Sequence, residues 1–224
     1  YSTGIDQYPE FHLYPNHVLG ISRVDPNAED LDQWGRREVD IELVDAKTGI
    51  SKLNLTLHTN FVKQLAHNSQ YIAYLHDEML QLVDLASLER KSLALPAPHT
   101  PFEVLVLDKQ IVVAAFDEHT DDPDKRVISL FHVSADQQSL VKFAEKQAQG
   151  LTVTTMRHAR SALLQWDIRY DKPNEFQAVD SSLQIRDIQT AWQDEWNLRM
   201  LLAEQGDEVV VITPDKYVQV FDYD

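Results

Sequence analysis

The sequence contains no cysteine among its 224 residues. This absence excludes disulfides, thiolate metal ligands and a cysteine nucleophile, so stability must come from packing. Glycine is scarce, at six residues, and the chain has no G-x-S-x-G, no G-x-G-x-x-G and no phosphate-binding loop. The sequence therefore predicts no catalytic residue, no cofactor and no enzyme.

Basic residues are also few: 20 Lys and Arg stand against 36 Asp and Glu, a formal net charge of −16. Such a molecule repels phosphate backbones, which excludes nucleic acid and anionic membranes and favours a basic protein partner. No apolar run approaches the roughly 18 residues of a membrane-spanning helix. We expect a cytoplasmic protein, and because residue 1 is Tyr we expect a processed or trimmed product. The hydrophobic fraction of 43% predicts a single domain over residues 1–224.

An internal repeat is the main feature that is present. Residues 72–84 (IAYLHDEMLQLVD) align without a gap with residues 210–222 (VVITPDKYVQVFD). Three identities fix the alignment: Asp77 with Asp215, Gln81 with Gln219, and Asp84 with Asp222. Each copy reads as a β-hairpin, an apolar strand, a tight turn and an alternating strand.

The second strand of this hairpin recurs around five anchor positions spaced by 39, 48, 55 and 35 residues: Asp45, Asp84, His132, Asp187 and Asp222. An apolar strand precedes each anchor: Val18–Ile21, Tyr71–Leu75, Ile111–Phe116, Ala162–Trp166 and Val209–Thr213. Four units show a still earlier strand: Val62–Leu65, Val104–Leu107, Leu151–Met156 and Leu198–Leu202. Three or four strands per unit of about 45 residues are typical of propeller blades.

The units resemble those of WD-repeat propellers, in which a strand ends in an aromatic or aliphatic residue followed by Asp. The equivalents of the Trp-Asp dipeptide are Val44-Asp45, Val83-Asp84, Arg186-Asp187 and Phe221-Asp222, and the Gly-His dipeptide is missing. The resemblance implies an all-β propeller of about five blades, or a propeller fragment, each blade a three- to four-stranded antiparallel meander.

Two other interpretations fit parts of the sequence. Residues 188–204 could form an amphipathic helix, since Ile188, Trp192 and Trp196 are spaced by four. A two-sheet β-sandwich would also contain many short strands. Repetition of one hairpin favours the propeller, because sandwich strands need not resemble one another.

Ring closure requires a further strand for the last unit, which ends with Tyr217–Phe221. We expect the segment Phe11–Tyr14 to supply it. Otherwise the chain belongs with further blades of a longer chain or with a second subunit.

Three acidic insertions lie between the second and third strands of their units: Asp25–Arg37, Asp117–Arg126 and Asp167–Ser182, with 13 acidic residues in all. Equivalent loops of a propeller emerge on one face, and loops on a rigid scaffold often carry binding residues. Trp, Tyr and Arg dominate interface energetics. The predicted partner-binding residues are therefore Asp30, Asp32, Trp34, Arg36, Arg37, Asp121, Asp122, Asp124, Arg169, Tyr170 and Asp171.

Metal ligands are not predicted. Asp117, Asp121 and Asp122 do not match the calcium-loop spacing, and no glycine permits the turn that this loop needs. The nine histidines form no H-x-x-x-H pair with an adjoining acid and read as scattered surface or core residues.

The sequence thus predicts a non-enzymatic scaffold or adaptor that binds a partner polypeptide through an acidic propeller face. One alternative is an acidic immunity or inhibitor protein that neutralises a basic partner such as a nuclease toxin. Another is a five-bladed glycoside hydrolase or sugar-binding protein, which needs paired carboxylates across a cleft.

Overall fold

The structure, a computed structural model, describes residues 10–23, 37–59, 64–108, 110–117, 122, 125–155, 161–168, 174–188, 199–202, 208–212 and 218–222. The chain divides into two compact units, Tyr1–Ser92 and Leu93–Asp224. Within the described ranges, no helix is long and apolar enough to cross a membrane. The prediction of one domain over residues 1–224 stays a prediction.

Five antiparallel sheets follow one another along the chain, each built from consecutive strands. The first sheet contains β1 (Glu10–Leu13), β2 (His17–Arg23), β3 (Arg37–Asp45) and β4 (Ser51–Thr59). The second contains β5 (Leu65–His67), β6 (Tyr71–His76), β7 (Met79–Asp84) and β8 (Arg90–Ala94). The third contains β9 (His99–Leu107), β10 (Gln110–Asp117), β11 (Val127–Val133) and β12 (Leu140–Gln147). The fourth contains β13 (Gly150–Thr155), β14 (Ser161–Asp167), β15 (Glu175–Asp180) and β16 (Ile185–Asp187). The fifth has three described strands, β17 (Arg199–Leu202), β18 (Glu208–Ile212) and β19 (Val218–Asp222). Successive meanders of this kind are the blades of a propeller.

Burial follows the alternation of each strand. On β3, Val39, Ile41 and Leu43 are fully buried, whereas Glu38 and Glu42 are exposed. The middle strands β6, β10 and β14 instead bury consecutive residues, because both faces of their sheets are covered. Each unit has its own apolar core, around Ile41 in the first and around Trp166 in the second.

The predicted tight turn at Asp77-Glu78 is confirmed. Both residues have positive φ, 49° and 61°. Two positive φ values in a two-residue loop match the right-handed twist of the flanking strands β6 and β7. The strand that the sequence placed at Tyr71–Leu75 is β6, with one more residue at its end.

A turn with the same hydrogen bonds follows the third strand in four sheets. In each, a backbone N–H at the end of that strand donates to a carbonyl four or five residues later: Asp45 to Ile50, Asp84 to Glu89, Ser134 to Ser139 and Asp180 to Gln184. The side chain at this position also accepts backbone hydrogen bonds in each case. The repeat is therefore anchored on a short polar side chain that caps a turn.

This turn corrects two of the five anchors. The equivalent residue in the third sheet is Ser134, not His132. In the fourth sheet it is Asp180, not Asp187, which ends the fourth strand β16. With Asp222 ending β19, the spacings become 39, 50, 46 and 42 residues. The repeat is more regular than the sequence pattern indicated.

The predicted closure by Phe11–Tyr14 is wrong. β1 pairs with β2 from Glu10↔Ile21 to Leu13↔Val18, so it is the first strand of the first sheet. The helix alternative is wrong where it can be compared, because residues 199–202 form β17, and residues 189–198 lie outside the described residues.

The insertion predicted at Asp167–Ser182 is also wrong in extent. Residues 175–180 form β15, which leaves 168–174 as the connection. Three of the four acids assigned to this insertion occupy strand ends, and Glu175 there pairs with Lys146 on β12. The other two insertions do connect second and third strands, β2 to β3 and β10 to β11.

Candidate functional site

The predicted partner-binding residues lie almost entirely outside the described part of the chain. Of the eleven, the structure describes only Asp122 and the backbone of Arg37, which begins β3 opposite Thr59. The carboxylate of Asp122 lies 3.0 Å from the amine of Lys125 in an exposed ion pair. The role of these residues in binding stays a prediction. The nine others fall outside the described residues: Asp30, Asp32, Trp34, Arg36, Asp121, Asp124, Arg169, Tyr170 and Asp171.

A different group of side chains is brought together in the first unit, which we call the histidine–tyrosine cluster: His12, Tyr14, His17 and His67. From the sequence, its three histidines read as scattered surface or core residues. The close spacing of His12, Tyr14 and His17 could have indicated one edge of the cluster. Nothing local connects them to His67, which lies 53 residues after Tyr14.

Strand alternation places His12 in the cluster. On β1, His12 is only 5% exposed and lies opposite Leu19, whereas its neighbours Phe11 and Leu13 are 60% and 77% exposed on the other face. The N–H of Tyr14 then donates to the carbonyl of His17 at 2.9 Å, closing the turn between β1 and β2. This turn brings the Tyr14 and His17 rings to a centroid separation of 5.1 Å.

A second turn fixes His67, the last residue of β5. The Oδ1 atom of Asn68 accepts hydrogen bonds from the N–H groups of Gln70 and Tyr71, each at 2.8 Å. An Asn side chain in this role holds a tight turn. The N–H of Asn68 donates to the carbonyl of Tyr71 at 3.0 Å, so the start of β6 is fixed against the end of β5.

The cluster joins two sheets through rings. The His12 and His67 centroids lie 4.0 Å apart in a T-shaped arrangement. The Tyr14 hydroxyl and Nδ1 of His67 share a hydrogen bond of 2.7 Å. His12 belongs to β1, Tyr14 directly follows β1, and His67 ends β5. These two strands are the first strands of the first and second sheets.

Burial and nearby charge act on His17. Desolvation, with a smaller contribution from the positive charge of Lys52, lowers the pKa of its imidazole. Its Nε2 atom is buried and makes no hydrogen bond to any described residue. Both effects favour the neutral ring.

Two carboxylates border the cluster. The Glu10 carboxylate lies 3.8 Å from Nε2 of His12. Lys52 pairs with Asp45 at 2.6 Å, and this contact, with hydrogen bonds from the Thr48 and Lys47 backbone, holds the pKa of Asp45 far below its ordinary value.

This arrangement can hold and move a proton. A phenol hydrogen-bonded to an imidazole can exchange donor and acceptor roles, and imidazole is the side chain that titrates near neutral pH. Among the described residues, no group of three His, Cys, Asp or Glu side chains is placed to hold a metal ion. In the cluster, Nδ1 of His67 is already engaged by Tyr14.

Comparisons with solved structures support the fold. An oligogalacturonate lyase in complex with manganese matches 97% of this chain and 70% of its own length, at 13% identity and a TM-score of 0.56. The uncomplexed acylaminoacyl peptidase of Pyrococcus horikoshii matches all of this chain and 39% of its own length, at 10% identity and 0.59. The β-propeller domain of the trilobed protease from Pyrococcus furiosus, described as having an open velcro topology, matches 99% and 70%, at 10% identity and 0.56. No protein-family model and no curated protein matches the chain.

These likenesses confirm the prediction of an all-β, β-propeller fold. At such identities the likenesses show the fold alone. The chain spans 70% of the lyase and only 39% of the peptidase.

The predicted function, a non-enzymatic scaffold binding a partner through an acidic face, is wrong. Several propellers that resemble this chain belong to enzymes, a lyase and peptidases. The immunity-protein and glycoside-hydrolase alternatives fall with it. The physical basis of the acidic face is also weaker than the sequence indicated, because residues 175–180 of its third loop form a strand.

Proposed function

We propose that this chain is the β-propeller part of a longer enzyme, and that it contacts the substrate without supplying the group that breaks the bond. The observation that carries the proposal is coverage. The chain matches an acylaminoacyl peptidase over its own full length but over only 39% of the peptidase. The expectation that the 224 residues alone are not an enzyme is part of this proposal.

Charge selects the substrate class. Each sugar of an oligogalacturonate carries a carboxylate, and a domain with a net charge of −16 repels a polyanion. A short peptide with an acylated amino terminus carries one carboxylate at its other end, not one per unit, so its repulsion by the domain is much weaker. We therefore propose acylated peptides as the substrate.

The histidine–tyrosine cluster is the proposed point of contact. It gathers three imidazoles and a phenol, which offer hydrogen bonds and aromatic surface to a peptide. Perturbed imidazoles such as His17 are more frequent at functional sites than elsewhere.

The test compares the polypeptide purified through a tag at its own gene with the 224-residue chain expressed alone. Both are assayed on acylaminoacyl p-nitroanilides and on oligogalacturonate. We expect release of nitroaniline by the gene-encoded polypeptide only. His67→Gln should raise KM several-fold with kcat retained, whereas His76→Gln, an exposed position outside the cluster, should change neither.

Three results would overturn parts of the proposal. Turnover by the 224-residue chain alone would place catalysis inside it. Cleavage of oligogalacturonate but not of the anilides would reject the substrate class. Absence of both activities from the gene-encoded polypeptide would reject the enzyme.

A WD-repeat type for the blades is a finer proposal. Its support is the dipeptide that ends the third strand, now Val44-Asp45, Val83-Asp84, Val133-Ser134, Val179-Asp180 and Phe221-Asp222. Further blades of a longer chain, a basic protein partner or second subunit, and a cytoplasmic location also stay proposals.

A further inference from the structure

The histidine–tyrosine cluster has a second property, which does not depend on the proposed function. β1 and β5 belong to different sheets. At their ends, the two sheets meet through the His12–His67 ring contact of 4.0 Å and the 2.7 Å bond between Tyr14 and His67. Any change in the charge of these rings therefore acts on a contact between sheets.

Protonating both His12 and His67 would cost considerable free energy at this contact. His12 is 95% shielded from water, and like charges at about 4 Å in such surroundings repel strongly. The Glu10 carboxylate, 3.8 Å from His12, can balance one positive charge. A second charge on His67 would also make its Nδ1 a donor, so the Tyr14 oxygen would have to accept the hydrogen bond that the phenol can otherwise donate.

Other charged and titratable groups also lie near the cluster. His17 lies beside Tyr14, and burial, with a smaller contribution from Lys52 of β4, lowers the pKa of its imidazole. Lys52 is paired with Asp45 of β3. Tyr74 of β6 belongs to the same core, and burial raises the pKa of its phenol, partly offset by Arg90 of β8. Imidazoles are the groups in this set that ordinarily titrate between pH 7.5 and 5.5.

We propose that the histidine–tyrosine cluster is a pH-sensitive tie between the first and second sheets, closed when its imidazoles are neutral and released when they take up protons. Release frees the ends of β1 and β5 while the strands within each sheet stay paired. The device would loosen the first unit as pH falls below about 6.5, the ordinary pKa of histidine.

The sign follows from linkage. A ring that stays neutral in the closed form and charges in the open form makes the open form bind more protons. The ratio of open to closed then rises about tenfold per pH unit, for each such ring, below about pH 6.5.

The experiment measures hydrogen exchange in the 224-residue chain from pH 7.5 to 5.5, after correction for the intrinsic pH dependence of exchange. The reporters are the amide N–H groups of Tyr14 and Asn68, which close the turns after β1 and β5. We expect opening at both to rise at least tenfold per pH unit below 6.5. In His67→Gln, the rise in opening per pH unit should be about ten times smaller than in the original chain.

Matched variants separate the tie from a packing contact. Tyr14→Phe removes the bond to His67 but no imidazole, so opening should increase at all pH values with its pH dependence retained. His76→Gln, in the same unit but 55% exposed, should behave as the original chain. If His67→Gln does not fold, Tyr14→Phe and a histidine NMR titration of the original chain still decide the matter.

The proposal is overturned if opening at Tyr14 and Asn68 does not change with pH. An unaltered pH dependence in His67→Gln would overturn it as well, as would NMR evidence that His12 and His67 both become protonated near pH 6.5 with no opening. Loss of peptide hydrolysis in the longer enzyme bears only on the proposed function, since the exchange measurement needs no substrate.

Discussion

Replacing Asp84 by Ala tests whether the repeat depends on a capped turn. The Oδ1 atom of Asp84 accepts three hydrogen bonds, from the N–H of Ala86 at 2.9 Å, the N–H of Ser87 at 2.8 Å and the Ser87 hydroxyl at 3.1 Å. Hydrogen bonds to a charged acceptor contribute about 1.5–3 kcal/mol each when shielded, and much less when water can replace them. Because this turn is exposed, we expect a loss of about 1–2 kcal/mol in the free energy of unfolding.

Asp84→Asn is the matched control. It keeps an oxygen at the Oδ1 position and removes the same charge as the Ala variant, so relief of repulsion in this acidic chain is equal in both. We expect Asn to lose less than about 0.5 kcal/mol, because its amide oxygen still accepts the two backbone bonds.

Urea unfolding followed by far-ultraviolet circular dichroism measures both variants. With a slope of about 2 kcal/mol/M, the Ala variant should lower the midpoint by about 0.5–1 M at constant slope. Hydrogen exchange should show the loss concentrated at residues 84–89. An equal loss in Asn and Ala, or no loss in Ala, would refute the capping role.

Other variants test the core and the acid limit of stability. Leu164→Ala, at a position 1% exposed in the second core, should lose about 2–5 kcal/mol in guanidinium unfolding, whereas Val141→Ala, 44% exposed, should lose under about 1 kcal/mol. Lys52→Met removes the first cause of the low pKa of Asp45, which should rise toward 3.8 in an NMR titration. Because folding lowers that pKa, the stability that Asp45 contributes is present above about pH 3.8 and is lost as the pH falls. The free energy of unfolding of the variant should therefore fall less steeply with decreasing pH than that of the original chain. An unshifted Asp45 titration would contradict this assignment.

Much of the fold was predictable because the signal is local. The alternation in LQLVD and the Asp77-Glu78 turn lie within one hairpin, and the second copy has a similar sequence, VQVFD after Asp215-Lys216. The strands expected at Tyr71–Leu75, Ile111–Phe116 and Ala162–Trp166 are all present with slightly wider bounds.

In the fourth sheet, the sequence pattern mistook the fourth strand for the third, and the reason is physical. The segment Ile185–Asp187 alternates and ends in Asp, like a third strand, but alternation is shared by third and fourth strands. What distinguishes them is the turn that follows. Asp180 accepts backbone hydrogen bonds from Ser182 and Gln184, as Asp45 does from Lys47 and Thr48. A search for Asp followed by small polar residues would have found it.

The histidine–tyrosine cluster was beyond local reasoning. His12 and His67 are 55 positions apart, and each alone reads as an ordinary strand residue. Their contact exists because β1 and β5 open successive sheets of one unit, a relation that depends on the topology and not on either segment. The predicted partner-binding loops posed the opposite problem: their composition was conspicuous, but strand β15 occupies six of the sixteen residues of one of them.

Charge and the cluster respond to acid in opposite directions, which decides how the tie must be measured. At pH 7 the chain carries a formal charge of −16, and this excess repels itself in the compact state. Its nine histidines take up protons as pH falls, so the net charge shrinks and global repulsion weakens. The same protons oppose the contact between His12 and His67.

A melting temperature sums both effects and can stay constant while the tie opens. Local exchange at Tyr14 and Asn68 reports opening at the ends of β1 and β5 separately from global stability, and raising the salt concentration supplies a check. Salt weakens the long-range repulsion between exposed charges, but it acts much less on two rings in contact of which one, His12, is buried. The pH dependence of exchange at these two amides should therefore persist at 0.5 M NaCl, and its disappearance there would assign it to the surface charge.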